Sequence, residues 1–340
     1  MGTAPALLSA RCAARWDVRL GSWHRAGVTL VLLPTTLDDD PVLPDGVRTL
    51  RYRVDGPFPD EALDADVLVA WGNGRRNLRD AVARLTRLRW VQTLAAGPDS
   101  VLAAGFGPDV TVTSGRGLHD GPVAEHTLAL VLACARRVPE LVRAQQEHRW
   151  AGELGGLQQV RPDEFRTLAG ARVLVWGFGS IAGRLAPLLT ALGAQVTGVA
   201  TRAGERHGHP VVAAQDVATV LPDTDLLISL LPATAATHHA VDAAVLAALP
   251  AHAWVVNVGR GPTLDEAALL DAVRAGRLGG AALDVFEDEP LPAGSPLWDE
   301  PRVLISPHAA GGRPVGAGAL VAQNVAAFVE GRPLRNVVER

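Results

Sequence analysis

Three ionisable residues in the C-terminal half sit beside glycine or proline. They are Arg260 in VVNVGRG, Glu289 in DVFEDEP and His308 in SPHAAG. Together these types can move a proton and hold an anion. Histidine titrates near working pH, so it can give a proton to an oxygen that gains negative charge. A carboxylate bonded to its other ring nitrogen fixes the tautomer and favours the imidazolium. A guanidinium grips a carboxylate or polarises a carbonyl with directed donors. Taken singly, each residue also has a plain structural reading: His308 in a turn, Arg260 solvated, Glu289 starting a helix.

A fourth feature lies upstream, in ARVLVWGFGSIAGRLAPLL. Gly177 and Gly179 occupy the first two positions of a dinucleotide-binding fingerprint; Ala182 stands third, with Gly183 one step late. The fingerprint needs a strand before it and a helix after it, and RVLVW and AGRLAPLLTALG meet both conditions. Gly179, Ser180 and Ile181 then fall at a helix N-terminus, where backbone N–H groups can meet a pyrophosphate. The acid that would hold a ribose 2′-hydroxyl belongs about 20 residues on. There the chain reads VATRAGE, with Thr201 and Arg202 and no acid in place. Losing the carboxylate and gaining a guanidinium favours a 2′-phosphate, so the expected cofactor is NAD(P), leaning to NADP(H).

These loops need strands to present them. VTLVLLP, ADVLVAW and RWVQTLAAG predict buried strands, with LRDAVARLTRL as a helix among them. DGPVAEHTLALVLACARRVPELVRAQQEHRW predicts one long helix or two joined ones, capped by Asp120 with Pro122 in its first turn. Beyond it, RVLVW, QVTGVA, DLLISLLP, AWVVNVG, GGAALDVF and RVLISP predict six strands with helical crossovers. Thr263 and Glu266 form a capping box for LDEAALLDAVRAG, and PVGAGALVAQNVAAFVEG predicts a last helix returning to the first unit.

The 340 residues, 48% hydrophobic and 20% charged, allow about two globular domains. A formal charge of −4 argues against nucleic acid or an anionic membrane as partner. The sequence holds no lysine, which removes Schiff-base and P-loop chemistry. Cys12 and Cys134 form no metal or redox spacing. No apolar run approaches the roughly 18 residues of a membrane span. The arginine-rich first 27 residues read as an extension of a cytoplasmic protein rather than a transit peptide. His207, His209, His238 and His239 read as solvated loop residues, and no metal site is expected. His119 and His126 flank a helix start facing the cleft, with His119 a possible substrate contact; Trp298 reads as core or interface packing.

VVNVGRGPTLDEAAL, GGAALDVFEDEPLPAGSPLW, RVLISPHAAG and LLPATAATHHAV occur in the order and spacing of one family. With the glycine stretch they resemble the D-isomer-specific 2-hydroxyacid dehydrogenases from about Trp71 to Gly331. The resemblance implies two doubly wound parallel-sheet α/β domains, a Rossmann cofactor domain (121–311) inserted into a flavodoxin-like substrate domain (1–120 with 312–340). It implies hydride exchange between NAD(P)H and a small 2-keto or D-2-hydroxy acid. Arg260 matches the substrate arginine, His308 the acid/base and Glu289 its partner. Asp284 matches the acid at the nicotinamide end, and Pro232 and Thr237 the adenosine-side loop. Asn73 and Gly74, in WGNG, match the loop whose backbone binds the substrate carboxylate. The resemblance also implies a homodimer. Phosphoglycerate, phosphite or formate as donor, and a non-catalytic NAD(P)-sensing interaction protein, are the alternatives.

Overall fold

The computed structural model describes residues 28–155 and 163–339. The N-terminal extension and Cys12 lie outside the described residues. Strands β1 (Thr29–Pro34), β2 (Val47–Tyr52), β3 (Val67–Ala70), β4 (Trp90–Thr93) and β5 (Thr111–Thr113) form an all-parallel sheet. Its order, β2-β1-β3-β4-β5, is the flavodoxin-like one. β1 and β3 are near-continuous apolar runs and β4 (WVQT) is fully buried, as strands covered on both faces must be. β2, VRTLRY, is half-exposed and carries Arg48 and Arg51; it and the three-residue β5 carry too little apolar signal to stand out in the sequence. Helices α1 (Arg75–Arg84) and α2 (Asp99–Ala104) follow β3 and β4.

The long helical stretch is two helices, α3 (Asp120–Ala135) and α4 (Val138–Gln146), broken where Arg137 takes a left-handed conformation. His119, not Asp120, is the N-cap of α3; Asp120 instead accepts from Ser180 Oγ at 3.1 Å. Val123, Val131 and Cys134 of α3 pack into the core of the second sheet. Burial pushes the Cys134 thiol up to about 12, which leaves it inert.

The second sheet runs β6 (Arg172–Trp176), α5 (Ser180–Ala191), β7 (Gln195–Ala200), β8 (Gly204–Arg206), β9 (His209–Ala213), β10 (Leu226–Ser229), α6 (Ala243–Ala248), β11 (Trp254–Asn257), α7 (Glu266–Arg274), β12 (Gly280–Leu283) and β13 (Val303–Ile305). Among the described residues it has eight strands rather than six, because GERHGHPVVA folds as the antiparallel pair β8–β9. The order β13-β12-β11-β10-β6-β7-β9-β8 reverses direction at β6, between β10 and β7, the switch point where such sheets bind nucleotides. The cap of α7 also differs from the expected box. Asp265 caps it by accepting from Ala268 N, Thr263 donates to Arg260 O, and Glu266 accepts from the Glu287 amide. Finally α8 (Ala317–Val329) lays Ala317, Leu320, Val321 and Val325 against Val31, Val69 and Trp90 of the first sheet. Its buried Asn324 donates to Gln92 Oε1 at 2.8 Å.

Candidate active site

Every chemical residue of the second sheet follows the carboxyl end of a parallel strand, the edge at which open α/β sheets bind ligands. The glycine loop follows β6, Thr201 and Arg202 follow β7, Pro232 follows β10, Arg260 follows β11, Asp284 follows β12, and His308 follows β13. Gly177 is left-handed, with φ of 99°. Gly179 is the extended N-cap of α5, and nothing stands within 4 Å of where its Cβ would be. That leaves its backbone open for the close approach of a phosphate. Ala182 is fully buried in the core, so the third fingerprint position serves packing. The late Gly183 has its own reason: a Cβ there would lie 2.9 Å from the His207 ring. His207 also faces Phe178 at 6.1 Å while staying exposed at the β8–β9 turn. Thr237 ties its loop by donating to Pro232 O, and both residues stay near the surface. Arg202 is exposed.

His308 Nδ1 lies 2.7 Å from Glu289 Oε2. The other Glu289 oxygen accepts from Phe286 N at 3.0 Å, which fixes the carboxylate plane. His308 itself is left-handed (φ 51°) and its amide donates to Asp284 O at 2.7 Å. A non-glycine residue held in that region is one that its surroundings over-determine. Asp284 supplies much of that hold. It is fully buried, and its oxygens accept from Ala309 N at 2.8 Å, Ala310 N at 3.0 Å and Ser306 Oγ. His126 Nε2 adds a contact to Asp284 at 3.3 Å. Expected at the nicotinamide end, Asp284 spends its oxygens on the segment that carries His308. The sequence held no signal for the His126 contact.

Arg260 extends toward the first sheet. Its Nε lies 3.3 Å from Asp99 Oδ2, and Nη1 donates to its neighbour Gly259 O at 2.8 Å. A Cβ on Gly97 would collide with the guanidinium, so glycine there makes room for it. Gly74 is the extended N-cap of α1, as a backbone anion site requires. The Asn73 side chain, by contrast, is spent within the first lobe, donating to Tyr52 Oη at 2.9 Å and to Asn77 Oδ1 at 2.6 Å. His119 is buried with both ring nitrogens on backbone carbonyls, not open to a substrate. His239 is paired with Glu287 at 2.9 Å rather than solvated, with the His238 ring stacked on it. Trp298 is half-exposed and not in the core; its Nε1 donates to Pro292 O.

Comparison with known proteins fits this arrangement. Residues 128–310 match the family model for the D-isomer specific 2-hydroxyacid dehydrogenase, NAD binding domain. A glyoxylate/hydroxypyruvate reductase B of Pectobacterium atrosepticum is 32% identical over 285 residues, 76% of this chain and 83% of the relative. A D-isomer specific 2-hydroxyacid dehydrogenase of Xanthobacter autotrophicus Py2, solved with NADPH and MES, is 31% identical with a TM-score of 0.74, covering 92% of this chain and 98% of that one. An NADPH-dependent glyoxylate/hydroxypyruvate reductase of Sinorhizobium meliloti, solved with NADP and sulfate, has a TM-score of 0.76 at 27% identity, over 92% and 98% of the two chains. The chain belongs to the D-isomer-specific 2-hydroxyacid dehydrogenase family, and is an NAD(P)-dependent oxidoreductase.

Proposed function

We propose that the protein reduces a small 2-keto acid of the glyoxylate or hydroxypyruvate kind with NADPH. The observation that carries this reading is the 2.7 Å pair of His308 Nδ1 and Glu289 Oε2, set at the same sheet edge as an open glycine loop. With Nδ1 bonded to the carboxylate, Nε2 is the nitrogen that faces the reacting oxygen. When bound, the nicotinamide cofactor supplies the hydride. The chain's residues do the rest. Arg260 and the backbone of Trp71–Gly74 hold the substrate carboxylate, which fixes the carbonyl beside His308. His308 holds a proton at Nε2 and gives it to the carbonyl oxygen as charge builds there. Glu289 keeps the ring in that tautomer and stabilises its cation.

Gly177, Gly179, Ser180 and Ile181 would hold the pyrophosphate, with Pro232 and Thr237 along the adenosine and Arg202 at a 2′-phosphate. The two solved relatives named above bind NADPH or depend on it, and the lack of an acid at Thr201 agrees with that preference. We assign residues 121–311 to the cofactor domain, and 1–120 with 312–340 to the substrate domain. Val138, Leu141 and Val142 of α4 and Trp150 expose apolar surface, which supports a homodimer through this face. The test is oxidation of NADPH and NADH against glyoxylate, hydroxypyruvate and bulkier 2-keto acids. Turnover of the small acids with lower KM for NADPH is expected. Tight NADPH binding with no turnover of any keto acid would refute it.

A further inference from the structure

Two histidines at the start of α3 take no part in the proton transfer, yet both reach the segment that bears His308. His119 and His126 are seven residues apart, about two helical turns, and so share one side of the helix. His126 Nε2 stands 2.9 Å from Ser306 Oγ, at the start of that segment. His119 Nδ1 stands 2.7 Å from Gly311 O, at its end. The His119 ring does more than this. Its Nε2 lies 2.8 Å from Leu94 O, directly after β4, and its face lies against Trp71 with ring centroids 5.4 Å apart.

One buried imidazole thus touches three places: the His308 segment, the carboxyl edge of the first sheet, and the loop Trp71–Gly74. Each ring nitrogen thus stands within hydrogen-bond distance of a backbone carbonyl, one on either side of the cleft. Asp120, the next residue, turns to Ser180 instead. The surrounding backbone runs the same way, with Val315 N donating to Leu118 O at 2.9 Å. The first sheet and the His308 segment are therefore registered through a side chain 192 residues from one of its partners.

We propose that His119 is a positioning residue for the reaction. Through its two carbonyl contacts and its packing against Trp71, it sets where His308 stands relative to the loop that takes the substrate carboxylate. This rests on the reading of His308 as proton donor. A misplacement of about 1 Å can cost about 100-fold in rate, so a registering contact is worth that order.

The test uses the full chain with three replacements. His119→Phe keeps a ring against Trp71 and removes both ring nitrogens. His119→Asn keeps a donor near Nδ1, and His119→Gln one near Nε2. Rates are measured with glyoxylate and NADPH, NADPH affinity by fluorescence titration, and the primary isotope effect with 4-deuterated NADPH. His119→Phe should lower kcat about 10- to 100-fold and raise the isotope effect, with NADPH affinity within about twofold. Asn and Gln should fall between it and the wild type. An unchanged kcat and isotope effect in His119→Phe overturns the proposal, and so does full recovery by either amide alone, since then no bridge is needed. Equal loss of turnover and NADPH affinity also overturns it, as that marks a general folding role. His308→Ala is run beside these. If it keeps full turnover, the proton-donor reading fails by itself; if it is dead and His119→Phe is normal, only the positioning role fails.

Discussion

The two sheets, all-parallel in the first and parallel but for the β8 edge in the second, obey the same rules and present opposite things at their carboxyl ends. In the first sheet, most polar side chains at that edge and in the sheet behind it are turned inward and satisfied. Asn73 bonds Tyr52 and Asn77, while Gln92, Thr113, Trp90 and Asn324 bond one another and nearby backbone. What faces the cleft there is mostly backbone and glycine, Gly74 at a helix start and Gly97 under a guanidinium, with Asp99 the carboxylate that meets Arg260. In the second sheet the same edge carries side chains that stay partly in solvent, with His308 45%, Glu289 35% and Arg260 29% exposed. One sheet is a receiver built from peptide groups, and the other holds the groups that titrate and clamp. Chemistry sits where side chains were left unspent.

That contrast can be broken experimentally. Its largest consequence is that His308→Ala should lower kcat about 10²- to 10⁴-fold while NADPH affinity stays within about twofold, whereas Asn73→Ala should leave KM for the keto acid nearly unchanged. Steady-state kinetics with NADPH titrations decide this; a raised KM in Asn73→Ala would show that the first sheet also contributes side chains. Next, Arg202→Ala should raise KM for NADPH about tenfold and leave KM for NADH alone, the loss expected of one exposed charge-assisted phosphate contact. An unchanged preference would take Arg202 out of the cofactor site. On the first-sheet side, Asn324→Leu should cost about 1–3 kcal/mol by leaving backbone at Arg335 unpaired, read as a lower Tm with unchanged KM values.

The smallest effect concerns Glu266, whose pKa is raised by burial, with the carboxylates of Glu287, Asp288 and Glu289 adding to the rise against the Glu287 amide bond. A raised acid binds its proton more tightly in the folded state, so it lowers stability as pH climbs from the ordinary carboxylate range through the raised value. Glu266→Gln should therefore have a slightly higher Tm than the wild type at pH 7 and the same Tm near pH 4. A gain at pH 4 as large as at pH 7 would contradict that origin.

Much of the second sheet could be read in the sequence because its signals are local. RVLVW followed by GFGSIAG is strand, turn and helix start within a few residues, and Arg260, Glu289 and His308 each sit one loop beyond an apolar run. What escaped reading was either weakly apolar or non-local. β2 and β5 are half-polar or three residues long, and β8 is held by a two-residue turn at His207 and Gly208. Thr263 and Asp265 are both good cap residues two positions apart, and only the fold decides that Asp265 caps while Thr263 closes the preceding turn. The bonds of His126 to Ser306 and of His119 to Gly311 span 180 and 192 residues, beyond any pattern in a single sequence.

The return of α8 has a consequence for synthesis on the ribosome. Strands β6 to β13 and their helices are all translated before Ala317–Val329 emerges, so the second sheet can close its core while the chain is still growing. The first sheet is made earlier and finishes later. Its face at Val31, Val69 and Trp90 waits for α8, and its β5 edge waits for Val337 and Val338, which pair with Thr113 and Val112. During elongation the older half of the protein is the one that stays exposed and is the natural client for a chaperone.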